Sequence, residues 1–425
     1  MRVEMSVFST ASDGRVFFSW TPIQATARLL DGPGGQQVVD IELRSTGSKG
    51  GVVFETFKTH RGKSSLRLSM PGDGSPVRFW VAGAFSSPSE TFGDAEITAF
   101  NVADGSSLGS VAAMVRVRKS ANSLTPLERD RFIDAFGKLN AKGSGRFTDF
   151  RTMHQAGTLR ESHGDYGFLP WHRAYLLDLE RELQAIAPEV SLPYWQFDRP
   201  APKLFTREFF GVANEVGRLE FSDGHPFNDW LADETGPGIL RAPNPDFDTG
   251  QAPPGLKDED ATIAFGGGVF AAFSFFDRND LDRSGIELDP HGYAHTSFSG
   301  WIMRPPTAPK DPLFFLLHCN VDRLWAKWQW FYKRFADVDP EAFPHNGNSG
   351  VGHNLGDTMW PWNGVTTPPR PPEAPGGMLA PSPLTTAPGN SPSVRSMLDY
   401  QGVRGGPHQG FDYDDVPFEL ADAIS

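Results

Sequence analysis

Apolar and polar positions take turns through the first 118 residues. The runs VEMSVF, RVFFSW, ATARLL, QVVDIELRS, GVVFETF, SSLRLSM, VRFWVAG, AEITAF and AAMVRVR are separated by clusters such as DGPGG, GSKGG and PGDGSP. Such alternation, punctuated by Gly, Asp, Ser and Pro, predicts half-buried strands joined by turns, and hence an all-β sandwich. The grammar changes at Ser123. SLTPLERDRFIDAFGKLN supplies a Ser or Thr cap, an early Pro and apolar residues at helical spacing. FTDFRTMHQ, HRAYLLDLERELQAI, HGYAHTSFSGWI and NVDRLWAKWQWFYKRFA repeat that spacing. Pro/Gly-rich stretches at 233–256 and 361–393 interrupt the helices and read either as ordered loops or as flexible segments. No internal repeat is visible.

Composition narrows the picture. The 425 residues suffice for two or three domains. No uninterrupted apolar stretch approaches the roughly 18 residues of a membrane span, and a net charge of -13 disfavours a general nucleic-acid surface. Small molecules or proteins are the expected partners. The opening MRVEMSVFSTASDGRVFF lacks a basic stretch followed by an apolar one, and the single Cys319 excludes an internal disulfide. A cytoplasmic location is therefore expected.

Candidate chemistry resides in the histidines. A lone helical His is usually solvated or hydrogen-bonded, so each of the eleven needs neighbours before it counts as a ligand. His291 and His295 lie four apart, on one helix face, in DPHGYAHTSF. His318 opens another helical stretch in DPLFFLLHCNVDRLWAKW, and His154, His163 and His172 recur at equal intervals. Two sets of three emerge, suited to copper, iron or zinc, since one cysteine cannot furnish a thiolate set. None of the six has a Glu three residues before it, as a ferritin-like di-iron site would want. Hydrolytic zinc pairs usually include carboxylate ligands. Copper leads. The other histidines, His60, His225, His345, His353 and His408, lack a partner spacing and are assigned to loops.

HGDYGFLPWHRAYLLDLE resembles the first copper motif of the tyrosinase, or polyphenol oxidase, family of type-3 copper proteins, and DPLFFLLHCNVD resembles the second. RKSANSLTPLERDRFIDAFGKLN, LPYWQFD, SGIELDPHGYAH and YDDVPF extend the likeness over roughly residues 118 to 418. The fold then expected is multidomain α and β. An N-terminal all-β sandwich, 1–118, precedes a mainly α-helical catalytic domain, 119–425, built around a four-helix bundle.

The resemblance implies two copper ions with O2 as co-substrate, His154, His163 and His172 holding one copper and His291, His295 and His318 the other. The implied reaction is oxidation of o-diphenols to o-quinones, with weaker monophenol hydroxylation. Full tyrosinase or o-aminophenol oxidase activity is the alternative, and a haemocyanin-like O2 carrier the alternative of another class. Glu287, four residues before His291, matches the position from which the family holds a water near the copper pair. Asp311 and Asp322 match carboxylates that orient the imidazoles, with helix capping and a salt bridge to Arg323 or Arg173 as the plainer reading.

Substrate contacts are expected at Gly292, Thr296 and Pro305. Many members with strong monophenol activity have Asn after the first His of the second set, and Gly292 offers no such side chain. Plant, fungal and molluscan relatives carry a thioether cysteine near the second His of the first set; Glu161 and Ser162 stand there here, as in bacterial members that lack it, and Cys319 reads as a buried small residue. Leu317 replaces a second consecutive histidine. Tyr413 resembles the tyrosine that closes the catalytic unit by stacking on an arginine, with Arg118 as its partner. The sandwich is left as a spare domain that shapes the entrance, supports a homo-oligomer or only stabilises the chain.

Overall fold

All nine alternating runs are strands. In the computed structural model, which describes residues 1–419 apart from 59–61, 156, 233–235, 237, 278, 280–282 and 346–349, they form two sheets. β1 (Arg2–Val7), β3 (Ile23–Leu30), β7 (Val77–Gly83) and β5 (Val52–Glu55) make an antiparallel sheet in that spatial order. The other runs β2 (Val16–Phe18), β9 (Ser107–Val115), β8 (Ala95–Asn101), β4 (Val38–Ser45) and β6 (Ser65–Pro71), with β2 parallel to β9. Period-two alternation sends Ile23, Ala25, Ala27 and Leu29 of β3 inward and Leu66, Leu68 and Met70 of β6 likewise.

By internal contacts the chain divides into two units. The first comprises Met1–Arg118, Ser382–Ala387 and the described residues from Tyr400 on; the second comprises Lys119–Pro381 and Pro388–Asp399. Two tail segments expected in a continuous 119–425 domain thus group with the strands. Their chemistry explains it. Asp412 is buried and accepts from Thr21 N–H (2.9 Å), Thr21 Oγ1 (3.0 Å) and Gln401 Nε2 (2.7 Å), while Trp20 Nε1 donates to Tyr413 O at 2.8 Å. Arg118 donates to the Tyr413 hydroxyl at 2.8 Å but lays its guanidinium over Phe411, 3.8 Å from the ring centre, more closely than over Tyr413 at 5.4 Å.

The second unit is mainly helical. Thr125 caps α1 (Pro126–Asn140) in a capping box with Glu128, and Pro at the first turn leaves no interior N–H unmet. Next come α2 (Phe147–Met153), α3 (Leu159–Ser162) and α4 (Phe168–Ile186). Phe168–Trp171 form the first turn of α4, where Pro170 needs no amide partner. β10 (Val212–Ala213) and β11 (Leu219–Glu220) pair, and β12 (Arg241–Pro243) pairs with β13 (Phe298–Gly300). Between them lie α5 (Glu259–Ala264), α6 (Phe270–Ser274) and α7 (His291–Thr296). α7 is half the helix the sequence suggests: its last residues leave the helix to form β13. α8 (Leu313–Tyr332) is the longest helix, buried along most of its length, and ends at Lys333 in a left-handed conformation. α4 and α8 pack against each other.

Candidate metal centre

Five short pieces of chain bring six imidazoles together. His154 closes α2, His163 closes α3, His172 sits in α4, His291 and His295 share α7, and His318 lies in α8. Within His154, His163 and His172 the available ligand atoms all lie within 4.8 Å of one another, and the same holds for His291, His295 and His318. The sets face each other: the His172 and His318 rings stack at 4.1 Å and 11°, and His163 lies 6.0 Å from His291, ring centre to ring centre.

The backbone settles the tautomers. Nδ1 of His154 meets Pro305 O at 2.8 Å, that of His172 meets Phe168 O at 2.8 Å, that of His291 meets Glu287 O at 2.6 Å and that of His295 meets Ile302 O at 2.6 Å. A carbonyl can only accept, so each Nδ1 carries the proton and each Nε2 keeps its lone pair. His163 Nδ1 faces the Glu287 carboxylate at 3.1 Å to the same effect. Nε2 of His154 lies 2.9 Å from that of His163, and Nε2 of His318 lies 3.3 and 3.2 Å from those of His291 and His295. His172 Nε2 is buried with no hydrogen-bond partner. Bare lone pairs pressed this close are costly unless something accepts them, and a bound cation does.

Burial keeps all six neutral. It holds His163 down to about 3 and His295 down to about 4, and drives His154, His172, His291 and His318 well below the ordinary imidazole value, with neighbouring imidazoles adding to the effect. Neutral imidazole is the form that ligates. His163 is the most exposed of the six, its side chain 16% exposed.

The other predicted residues fall around this cluster. Glu287 joins both sets: its carboxylate faces His163 and accepts Gly164 N–H at 2.7 Å, while its carbonyl takes His291. Asp311, two residues before α8 begins, accepts the Leu313 amide at 3.0 Å and pairs with Arg241 at 3.2 Å; Asp322 pairs with Arg173 at 2.6 Å across α4 and α8. Arg323 instead pairs with Glu259. Gly292 lies on α7 one residue past His291, and exposed Thr296 returns its hydroxyl to Gly292 O at 3.0 Å. Pro305 is exposed, and its carbonyl is the anchor of His154. Cys319 is buried. His345 is exposed, whereas His225 and His353 are buried, His225 accepting the Phe227 amide two residues on and His353 accepting the distant Gly167 amide; His60 lies outside the described residues.

Two aromatic walls escaped the sequence reading. Phe168 lies 4.8 Å from His172 and 4.9 Å from His291, and Phe314 lies 4.2 Å from His318 and 5.0 Å from His154. Each precedes a helical histidine by four residues and so shares its helix face, a spacing already present in FLPWH and FFLLH.

Two facing sets of three neutral imidazoles on one helical unit make a site of the class that could hold a pair of metal ions through nitrogen ligands. The model of the common central domain of tyrosinase matches residues 144–331. A tyrosinase from Streptomyces antibioticus is 32% identical over 279 residues, covering 59% of this chain and 94% of that protein. Grixazone synthase from Streptomyces griseus is 31% identical, covering 60% and 95%. Among solved structures, a tyrosinase from Burkholderia thailandensis matches with 18% identity and a TM-score of 0.46 over 73% of this chain and 78% of that one. The chain belongs to the tyrosinase family, whose members are copper-dependent phenol oxidases with a binuclear copper centre.

Proposed function

We propose that His154, His163 and His172 hold one copper ion, that His291, His295 and His318 hold the other, and that the chain oxidises o-diphenols to o-quinones with O2. The carrying observation is the pair of three-imidazole sets, each with its ligand atoms within 4.8 Å. The copper pair supplies two-electron exchange between phenol and O2, which no side chain in this set can supply. The protein's part is positional. Carbonyls of Pro305, Phe168, Glu287 and Ile302 fix the imidazoles, and Phe168 and Phe314 exclude water beside them. α2, α4, α7 and α8, which carry or end on five of the ligands, are the four-helix core of this reading.

A phenol approaching beside His163 meets Glu287 as the nearest carboxylate, so Glu287 is assigned to hold a water that takes the phenolic proton. Gly292, Thr296 and Pro305 are assigned to contact substrate. Gly292 leaves that water without a side-chain amide, which favours diphenols over monophenols. Oxygen uptake with tyrosine, tyramine, L-DOPA, catechol and o-aminophenol, beside copper stoichiometry, tests this reading. Two coppers per chain and quinone from catechol are expected. Reversible oxygenation without quinone would contradict it, as would full oxidase activity in His172→Ala or His295→Ala.

A further inference from the structure

His163 is borne on the least regular backbone of the six. α3 is only four residues long, His163 itself is extended, and Gly164 turns with φ +79° before α4 begins at Phe168. Something must hold this loop, and residues 350–371 grip it at both ends.

At one grip, His353 Nδ1 accepts Gly167 N–H at 2.9 Å while its Nε2 lies 2.7 Å from Arg160 O. The carbonyl can only accept, so Nε2 carries the proton, and one neutral tautomer satisfies both partners. A single imidazole thereby ties the residue three before His163 to the residue four after it. At the other grip, buried Glu161 accepts Trp360 N–H (2.8 Å), Arg370 Nε (2.8 Å) and Arg370 Nη2 (3.1 Å), and Arg370 Nη2 also reaches Thr358 O at 2.7 Å. The approach is backbone-close. A Cβ on Gly352 would sit 2.1 Å from Glu161 Cγ, at a φ of +87°, and one on Gly167 would sit 2.5 Å from Gly352 O. The fork geometry of Arg370 on a carboxylate fixes direction as well as distance.

We propose that residues 350–371 are a positioning brace for His163: His353 and the Glu161–Arg370 pair fix both ends of its loop and so hold its imidazole on the ion it shares with His154 and His172. The brace rests on the proposed ligand role of His163. It predicts a loss confined to one of two ions, because no other ligand is carried on the braced loop.

The test uses the copper-loaded full chain and follows copper release to a chelator, with hydrogen exchange over residues 159–168 in the metal-free protein. His353→Leu should speed one release phase by about tenfold to a hundredfold, the usual cost of losing an outer partner of a ligand. The other phase should stay within about twofold, exchange at 160–167 should rise, and His353→Gln, which keeps a donor and an acceptor, should restore part of the loss. Arg370→Gln should act on the same phase, and it carries the test if His353→Leu does not fold. Wild-type release in both His353→Leu and Arg370→Gln, while His163→Ala loses one ion, overturns the brace and leaves the ligand reading standing. Equal acceleration of both phases also overturns it. Retention of both ions by His163→Ala overturns the ligand reading itself.

Discussion

At Gly292 an added Cβ would lie 3.3 Å from Leu288 Cδ1 and 3.6 Å from Glu287 O, on a helix with no positive φ. A small shift of the Leu288 tip makes room, so Gly292→Asn should fold and raise the ratio of monophenol to diphenol turnover; an unchanged ratio would remove Gly292 from specificity. Phe314 is wholly buried against four histidines. Phe314→Ala should lower unfolding free energy by about 3–5 kcal/mol, read from denaturant midpoints of the metal-free protein. Spacing made the six histidines legible in the sequence, since i, i+4 on a helix and a long specific motif are local signals. The Phe168 and Glu287 carbonyls lie four residues before the histidines they fix, but the Pro305 carbonyl was not legible, because Pro305 and His154 are joined only by the fold. The same holds for His353, whose two partners lie nearly two hundred residues upstream.

Among elements, strands were read with ends displaced by a few residues, because alternation depends only on which side faces the core. Helix ends were harder. α4 starts four residues earlier than its polar-apolar pattern suggests, and α7 stops where pairing with β12 offers the backbone another set of partners. α1 was complete in the sequence because its cap is a local device: Thr125→Ala should cost about 1 kcal/mol by thermal or urea unfolding. α4 and α8 are pinned by the buried Arg173–Asp322 pair, with Arg173 also donating to Gln329 at 3.0 Å and Met397 O at 2.7 Å. Asp322→Ala removes the carboxylate from that buried guanidinium and should cost about 3–5 kcal/mol, far above an exposed pair.

For the whole molecule, pH acts through the buried imidazoles. Their folded values lie below the unfolded one, so the unfolded chain binds more protons and stability falls as pH drops below about 6.5 toward 4 and 3. Asp178, pushed up to about 6 by burial, slopes the other way, as do Asp311 and Asp412, but they are outnumbered by the six site histidines and His225. Thermal melts of metal-free protein from pH 7 to 4 should therefore show a falling Tm; a rising one would mean the imidazoles are not buried neutral. Copper should raise Tm at pH 7, by about 4 kcal/mol of stabilisation per bound ion at a thousandfold excess over Kd. Among the described residues no helix is long and apolar enough to cross a membrane.

The grip of His353 and Arg370 on the His163 loop bears on how small a working version of this protein can be cut. A fragment trimmed to the family-matched 144–331 would keep every imidazole of both sets, yet it would leave behind Arg370, His353 and the Met397 carbonyl that steadies Arg173. Its ligand inventory would be complete and its scaffolding would not, so a minimal oxidase designed on this chain has to extend at least through residue 397.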